Sequence, residues 1–190
     1  QAPHPGLGPT QPNTQSPAPA PRHAGRFQSE ALPDVPSYGE PDLADKPAYI
    51  QDRIAGAWSG DGERRGLTRS YQASLESLLA VDELVGRVVD ALERTRTLDD
   101  TVVVFTSDNG LTFGEHRLKW WKVVPYEESI RVPLVVRGPG FPAGATASQV
   151  VGNIDLAPTL VDLAQVLPGR TMDGRSLLPI KEANTTLDMK

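Results

Sequence analysis

Residues 101–110 read TVVVFTSDNG, and Val102, Val103, Val104 and Phe105 follow one another with no polar residue between them. A strand with one face in water alternates, so this run predicts a strand covered on both faces, as in a parallel sheet with helices on either side. The strand leads straight into Asp108, Asn109 and Gly110. In open α/β sheets the carboxyl edge is where ligands bind, and a carboxylate beside a carboxamide offers hard oxygen donors suited to Ca²⁺ or Mg²⁺. Gly110 is expected to let the backbone turn sharply behind them.

The flanking sequence fits the same class. From Tyr71 onward, Leu75, Leu78, Leu79, Val85, Val88, Val89 and Leu92 recur at helical spacing, which predicts an amphipathic helix of about six turns with an inward apolar stripe. Asp82 and Gly86 interrupt that stripe. Helix, the short turn TRTLDD and strand make an αβ unit, which favours a parallel sheet. A second strand is expected at VPLVVRG (132–138), stopped by Pro139 and Gly140. Asp155 is placed to cap a second helix with Pro158 in its first turn and Leu160, Val161, Leu163 and Ala164 facing inward. Residues 1–47 are rich in proline, glycine, serine and alanine, and PAPAPRH (17–23) reads as extended, polyproline-like chain. The organisation expected is thus an extended segment over 1–47, an α/β portion over 48–180 and a tail over 181–190. Two strands are few for an α/β sheet, which typically has about five or six, so the fold reads as incomplete.

Charge and composition exclude several classes. The net charge of −5 and the pI near 5.2 argue against a general nucleic-acid binder, which needs a surplus of Lys and Arg. An anionic ligand would need a local cationic pocket. No stretch approaches the roughly 20 apolar residues of a membrane helix, and the N-terminus as given shows no charged leader before an apolar run. The chain has no cysteine, which excludes disulfides, thiolate metal sites and a cysteine nucleophile.

After the Asp108 corner comes GEHRLKWWKVVPYEESIRVPLVVRGPG (114–140), dense in His, Lys, Arg, Trp and Tyr. Long loops leaving a strand's carboxyl end build binding sites. Lys122 and His116 can hold an anionic group, the first as a compact point charge and the second as a donor of a hydrogen bond or proton; Lys119 is a rival for the same role. Plainer readings stand beside these. An isolated Asp-Asn-Gly is most often a tight turn, but the apolar strand before it and this loop after it reverse those odds. Lys122 can be a solvated loop lysine, and His116 can cap a helix or pack in a wall. His23, next to Arg22, reads as surface, and Asp82 as a carboxylate with an ordinary partner. Trp58, Trp120 and Trp121 can stack on a sugar ring or fill the core. The sequon at Asn184 reads as a chance match outside a secreted eukaryotic protein.

At this point the order of motifs carries a resemblance. FTSDNG, GEHRL, K-x-x-PYEESIRVPLVVRGPG, NIDLAPTLVDLA and DGRSLLP resemble the downstream half of the catalytic domain of formylglycine-dependent (type I) sulfatases, in the alkaline-phosphatase superfamily. PAPRHAGRF, DKPAYIQ and LLAVDELVGRVVDAL further resemble bacterial N-acetylglucosamine-6-sulfatase-like and arylsulfatase-like proteins. The resemblance implies an alkaline-phosphatase-like three-layer α/β sandwich with a mostly parallel sheet, present as an incomplete C-terminal portion. It implies that Asp108 and Asn109 bind Ca²⁺ (or Mg²⁺), that Lys122 contacts the sulfate and stabilises the leaving oxygen, and that His4 in APHPG contacts the sulfate and protonates the leaving alcohol. The implied activity is hydrolysis of a sulfated sugar or aryl sulfate, with a small-molecule or glycan sulfate ester as partner.

Two parts of that machinery are absent from the sequence. The family's formylglycine arises from Cys or Ser in a C/S-x-P-x-R motif, and no serine here has that setting; Ser16 in SPAPAPR has its proline elsewhere. The paired aspartates of the metal shell are also missing, since Asp99 and Asp100 precede a strand at its amino end. The chain alone is therefore expected to be inactive. A phosphate or phosphonate ester hydrolase of the same superfamily and a non-catalytic sulfated-glycan-binding remnant are the alternatives. The compartment is not legible: periplasmic or secreted if a signal lies upstream, cytoplasmic otherwise.

Overall fold

The computed structural model describes residues 16–54, 58 and 60–181. The chain divides into two compact units, one of Gln1–Ala91 with Asn109–Val132 and one of Leu92–Asp108 with Pro133–Lys190.

The first unit is organised by α1 (Ala48–Ile54) and the long α2 (Asp61–Arg94). Helix α2 starts ahead of the expected Tyr71. Asp61 and Glu63 lie in its first turn and Arg94 in its last, charges that complement the helix dipole at each end. Its buried residues are Leu67, Ser70, Glu76 and Ser77, and the apolar stripe read from the sequence faces inward only in part: Leu75, Leu79, Val89 and Leu92 are half-buried, while Leu78, Val85 and Val88 are exposed. The physical reason is hydrogen bonding. The proline-rich segment contains no helix or strand in its described part and lies along α2, where it is held by polar groups. Ser16 Oγ meets Ser70 Oγ at 2.8 Å, Phe27 N donates to Glu76 Oε1 at 3.3 Å, and Gln72 Nε2 donates to the Gln28 and Glu30 carbonyls at 3.0 and 2.8 Å. Proline-rich backbone has carbonyls left over, and helix side chains satisfy them. His23 is corrected from surface to buried, its Nε2 standing 3.0 Å from Glu83 Oε1 while Arg22 also pairs with Glu83. Asp82 is exposed and marks no buried site.

The unit's hydrophobic cluster consists of Ile50, Ile54, Leu118 and Val124, with Leu43, Trp121 and Tyr126 packed against it. Ile50 and Ile54 are one turn apart and share a helix face. This cluster joins α1 to the loop carrying Lys122.

The second unit contains β1 (Val103–Thr106), β2 (Leu134–Arg137) and α4 (Leu156–Leu163); α3 (Glu127–Ile130) belongs to the first. The strands lie where the apolar runs put them, but they pair antiparallel, Val103 opposite Arg137 and Thr106 opposite Leu134. The parallel pairing expected from the αβ unit needs a crossover of a dozen or more residues, usually helical, and the connection between these strands holds only the single turn α3. The covered faces expected for β1 are not found either. Val104 and Phe105 are 37% and 38% exposed and Val135 59%, and among the described residues no helix is laid over the pair.

Helix α4 follows Asp155 as expected, with a different capping scheme. The Asp155 carboxylate accepts from the Gly152 and Arg175 amides, each at 2.8 Å, rather than from the helix's own first turn. Pro158 and Thr159 form its buried face, while Leu160 and Ala164, read as inward, are exposed. Thr159 Oγ1 sets that orientation by donating to Asp155 O at 2.6 Å and accepting from Leu177 N at 2.9 Å, which fastens the DGRSLLP segment to the helix.

The contrast along α2 is measurable. Leu67, fully buried, loses about 3 kcal/mol of unfolding free energy on Leu67→Ala in urea titration, whereas Leu78→Ala changes it by less than about 0.5 kcal/mol. Equal losses at the two positions would contradict the burial of the Leu67–Ser70–Ser77 face.

Candidate active site

The segment that carries Lys122 is a folded arm rather than an open loop. Trp120 N donates to Thr112 O at 2.8 Å, Thr112 N to Trp121 O at 3.0 Å and Gly114 N to Leu118 O at 2.9 Å. Phe113 and Lys119 form an antiparallel bridge between the two sides. Thr112 is fully buried, and its hydroxyl bonds both the amide and the carbonyl of Trp121. This missed signal is subtle, because a threonine next to an aromatic looks like any strand residue. Lys122 follows immediately where the arm closes, half-buried.

Side chains then moor the arm. Trp120 Nε1 donates to Ser70 Oγ at 2.7 Å, and Lys119 Nζ donates to Glu63 Oε1 at 3.0 Å, both acceptors on α2. Lys119 is thereby engaged in an ion pair. Trp121 packs on the hydrophobic cluster, and Trp58 meets Tyr38 edge-on at 5.6 Å, so all three tryptophans have structural employment. Four non-glycine residues of this stretch have left-handed backbones: His116, Arg117, Trp120 and Val123, with φ of 52°, 58°, 54° and 71°. For β-branched Val123 this is an outlier, and such strain costs of order 1–3 kcal/mol and persists only where surroundings impose it. Val123 is 87% exposed, so its side chain contributes little packing in return. It sits directly after Lys122.

A charge network around His116 holds the base of the arm. Its Nδ1 lies 2.7 Å from Glu40 Oε2, and its Nε2 faces Glu128 Oε2 at 3.6 Å. Its ring stacks on Tyr126 with centroids 4.0 Å apart. Glu40 uses its other oxygen to accept from Lys46 Nζ at 2.7 Å, and Lys46 also donates to Asp45 at 2.9 Å. Ser37 Oγ donates to Glu128 Oε1 at 3.1 Å. Backbone bonds run alongside: His116 N to Ser37 O at 2.7 Å, Gly39 N to Gly114 O at 2.9 Å, and Arg117 Nε to Glu40 O at 2.9 Å. His116 therefore spends its ring on two carboxylates and serves in this arrangement to hold the arm. Glu40, Lys46 and Glu128 were not singled out by sequence reasoning. The only hint was that DKPAYIQ and PYEES bring charge beside aromatic residues.

At the corner, β1 ends at Thr106 and Asp108 follows two residues later. Asp108 is exposed; Ser107 Oγ lies 3.4 Å from its Oδ1, and Asn153 Nδ2 donates to the Ser107 and Asp108 carbonyls at 3.1 and 3.2 Å. The carboxamide of Asn109 donates to Gly110 O at 2.8 Å. Gly110 does not have a positive φ, and its role differs from the expected sharp turn. Its N donates to Ser129 O at 2.8 Å, and a Cβ there would overlap the Glu128 carbonyl oxygen. Only glycine lets these backbones come together.

The donor chemistry of Asp108 and Asn109 suits a hard cation, but a calcium site takes six to eight oxygens. Among the described residues no group of three or more His, Asp or Glu side chains converges to hold an ion. Asp108 and Asn109 do not by themselves form a metal site. His4 lies outside the described residues, as does the sequon at Asn184. No helix among the described residues is long and apolar enough to cross a membrane.

Comparison with known proteins adds the family context. Residues 7–166 match the family model described as Sulfatase. The human N-acetylglucosamine-6-sulfatase is 43% identical over 122 residues, which is 64% of this chain and 22% of that protein. BT4656, solved in complex with its substrate D-glucosamine-2-N,6-O-disulfate, superposes with a TM-score of 0.71 at 27% identity over 90% of this chain and 47% of its own. The phosphonate monoester hydrolase SpPMH from Silicibacter pomeroyi superposes with a TM-score of 0.74 at 28% identity over 95% of this chain and 37% of its own. The chain thus spans about a fifth of the human relative and less than half of each solved structure. The expected fold class holds: these neighbours have the alkaline-phosphatase-like α/β fold, of which this chain covers a part.

The charge network has a pH signature. The bond from Lys46, and after it the bond from His116, hold the Glu40 carboxyl below its ordinary range; Glu40 and then Asp45 hold the Lys46 ammonium above its own. A depressed carboxylate pKa gives stability that is complete above the unfolded value and lost as pH falls through the folded one; a raised lysine pKa gives stability lost only at strongly alkaline pH. Both contributions are present at neutrality. The Tm difference between the wild type and Glu40→Gln should therefore be largest from pH 6 to 8 and shrink as pH falls below about 4. A difference that stays constant to pH 3 would mean that the Glu40 charge contributes nothing.

Proposed function

The chain belongs to the sulfatase family, and we propose that it forms part of an enzyme that hydrolyses the sulfuric ester of a sulfated sugar or an aryl sulfate. The observation that carries this reading is that the family match runs unbroken across the Asp108–Asn109 corner and the Lys122 arm. Sulfatases act with a metal ion and a formylglycine. When bound, a divalent cation supplies electrostatic stabilisation of charge on the ester oxygens; Asp108 and Asn109 would contribute two hard oxygens to it, which suit Ca²⁺ or Mg²⁺.

The chain's own chemistry centres on Lys122. As an S–O bond breaks, charge accumulates on the leaving oxygen, and an ammonium already in place stabilises it without reorganising at that moment. The folded arm supplies that pre-placement: Thr112 closes it, Trp120 and Lys119 moor it to α2, and the His116 network holds its base. His116 acts by positioning. His4 is the proposed donor of a proton to the leaving alcohol, a role worth about two to four orders of magnitude in rate.

The likeness to SpPMH favours one rival, hydrolysis of a phosphonate monoester. In the enzyme containing this chain, Lys122→Ala should lower kcat toward 4-nitrocatechol sulfate at least about a hundredfold with the fold intact by circular dichroism. An unchanged kcat removes Lys122 from the site. A higher kcat/KM for phenyl phosphonate than for the aryl sulfate would replace the sulfatase reading with its rival.

A further inference from the structure

A net charge of −5 conceals a local reversal on α2. A groove of about 680 Å³ lies between the first turns of that helix and the Ala31–Leu32 segment, lined by Arg64, Arg65, Thr68, Arg69 and Gln72, with Asp61 as its one carboxylate. The arginines are not equivalent. Arg64 is engaged, its Nη2 3.2 Å from Asp34 and 3.3 Å from the Leu32 carbonyl, and its guanidinium 4.6 Å from the Tyr38 ring centroid. Arg65 and Arg69 are exposed and have no carboxylate partner among the described residues; Arg69 Nε donates only to the Arg65 carbonyl, at 3.3 Å.

Two like charges four residues apart on a helix lie one above the other, about 6 Å along the axis, and repel. No salt bridge among the described residues, Asp61 included, engages either guanidinium, and an anion in the groove would relieve the repulsion. The far wall is fixed: Gln72 donates its amide to both the Gln28 and Glu30 carbonyls. The groove is therefore bounded by bonded backbone on one side and by guanidiniums on the other, with exposed Ala31 beside the buried Leu32 as an apolar strip.

We propose that this groove binds sulfate groups of a sulfated oligosaccharide at a place that shares no residue with the reacting ester. The inference rests on the sulfatase reading for its choice of anion. Guanidinium is weakly hydrated and forks onto two oxygens of a tetrahedral oxyanion, and the apolar strip suits the C–H face of a sugar ring between two such groups. Arg65 and Arg69 are the anchoring residues, and Arg64, already paired, lines the groove.

The test is calorimetric titration of the 190-residue chain with a heparin-derived hexasaccharide, its chemically desulfated counterpart, and a single-stranded oligonucleotide of equal charge. Arg65→Ala/Arg69→Ala should weaken hexasaccharide binding at least tenfold and reduce the salt dependence by about two counterions, while Arg87→Ala, an exposed arginine farther along the same helix, stays within twofold of wild type. Both variants change exposed side chains and should keep the wild-type circular dichroism. The proposal fails if the double variant binds like wild type, if desulfation leaves affinity unchanged, or if the oligonucleotide binds as tightly, which would make the groove a plain cation exchanger. Selective binding here without any ester hydrolysis by the complete enzyme would overturn the hydrolase reading and leave the groove standing.

Discussion

Lys46 is only 8% exposed, and a cation removed from water must meet its counter-charge nearby or be neutralised. It meets Glu40, and because a carboxylate has a second oxygen, Glu40 also reaches His116. That one shared carboxylate links the segment before α1 to the arm that ends in Lys122. Much else in the first unit follows from it. The backbone of residues 37–41 is drawn against residues 114–117, giving the bonds from Gly39, His116 and Arg117. Tyr126 can then stack on the imidazole, and the buried cluster around Leu118 and Val124 closes against α1.

The arm carries left-handed backbones at His116, Arg117, Trp120 and Val123. Arginine, tryptophan and above all valine seldom adopt such a conformation, histidine more readily, so the first three in particular are costs that the surroundings must offset. His116 and Arg117 are offset by bonds to the Glu40 region and Trp120 by its bond to Ser70. Val123 has no comparable compensation on its exposed side chain and depends on Val124, buried just beyond it. Strain of this kind fixes a backbone more narrowly than packing alone. An ammonium intended for a developing oxyanion benefits from that narrowness, since catalytic electrostatics depend on placement before charge appears.

Legibility from the sequence was uneven for identifiable reasons. Both strands and α4 announced themselves because short apolar runs ended at Gly, Pro or Asp are local signals. The direction of strand pairing is not local: it depends on how residues 107–133 return, and that segment contains one turn of helix instead of a crossover. The inward face of α2 was misjudged because apolar spacing was the only guide. The segment lying on that helix offers carbonyls and amides, so Ser70, Gln72 and Glu76 face it while Leu78 and Val88 remain in solvent. Of the site, Asp108, Asn109, His116 and Lys122 were named from motif order, but the partners of His116 were not. Glu40 is 76 residues away in sequence, and no spacing rule connects them. Gly110 was recognised as necessary for the wrong reason, a turn instead of the close approach to the Glu128 carbonyl.

The central claim is that the Glu40–His116 pair, and not merely the surrounding apolar contacts, fastens the arm. The most direct test is a double-mutant cycle on unfolding free energy at neutral pH with Glu40→Gln, His116→Ala and the double variant. The account predicts a coupling of about 1.5 kcal/mol, within the range for residues in one hydrogen-bonded network. Additivity within about 0.3 kcal/mol would show that the two residues contribute independently, and the arm would then owe its position to the cluster around Leu118 alone.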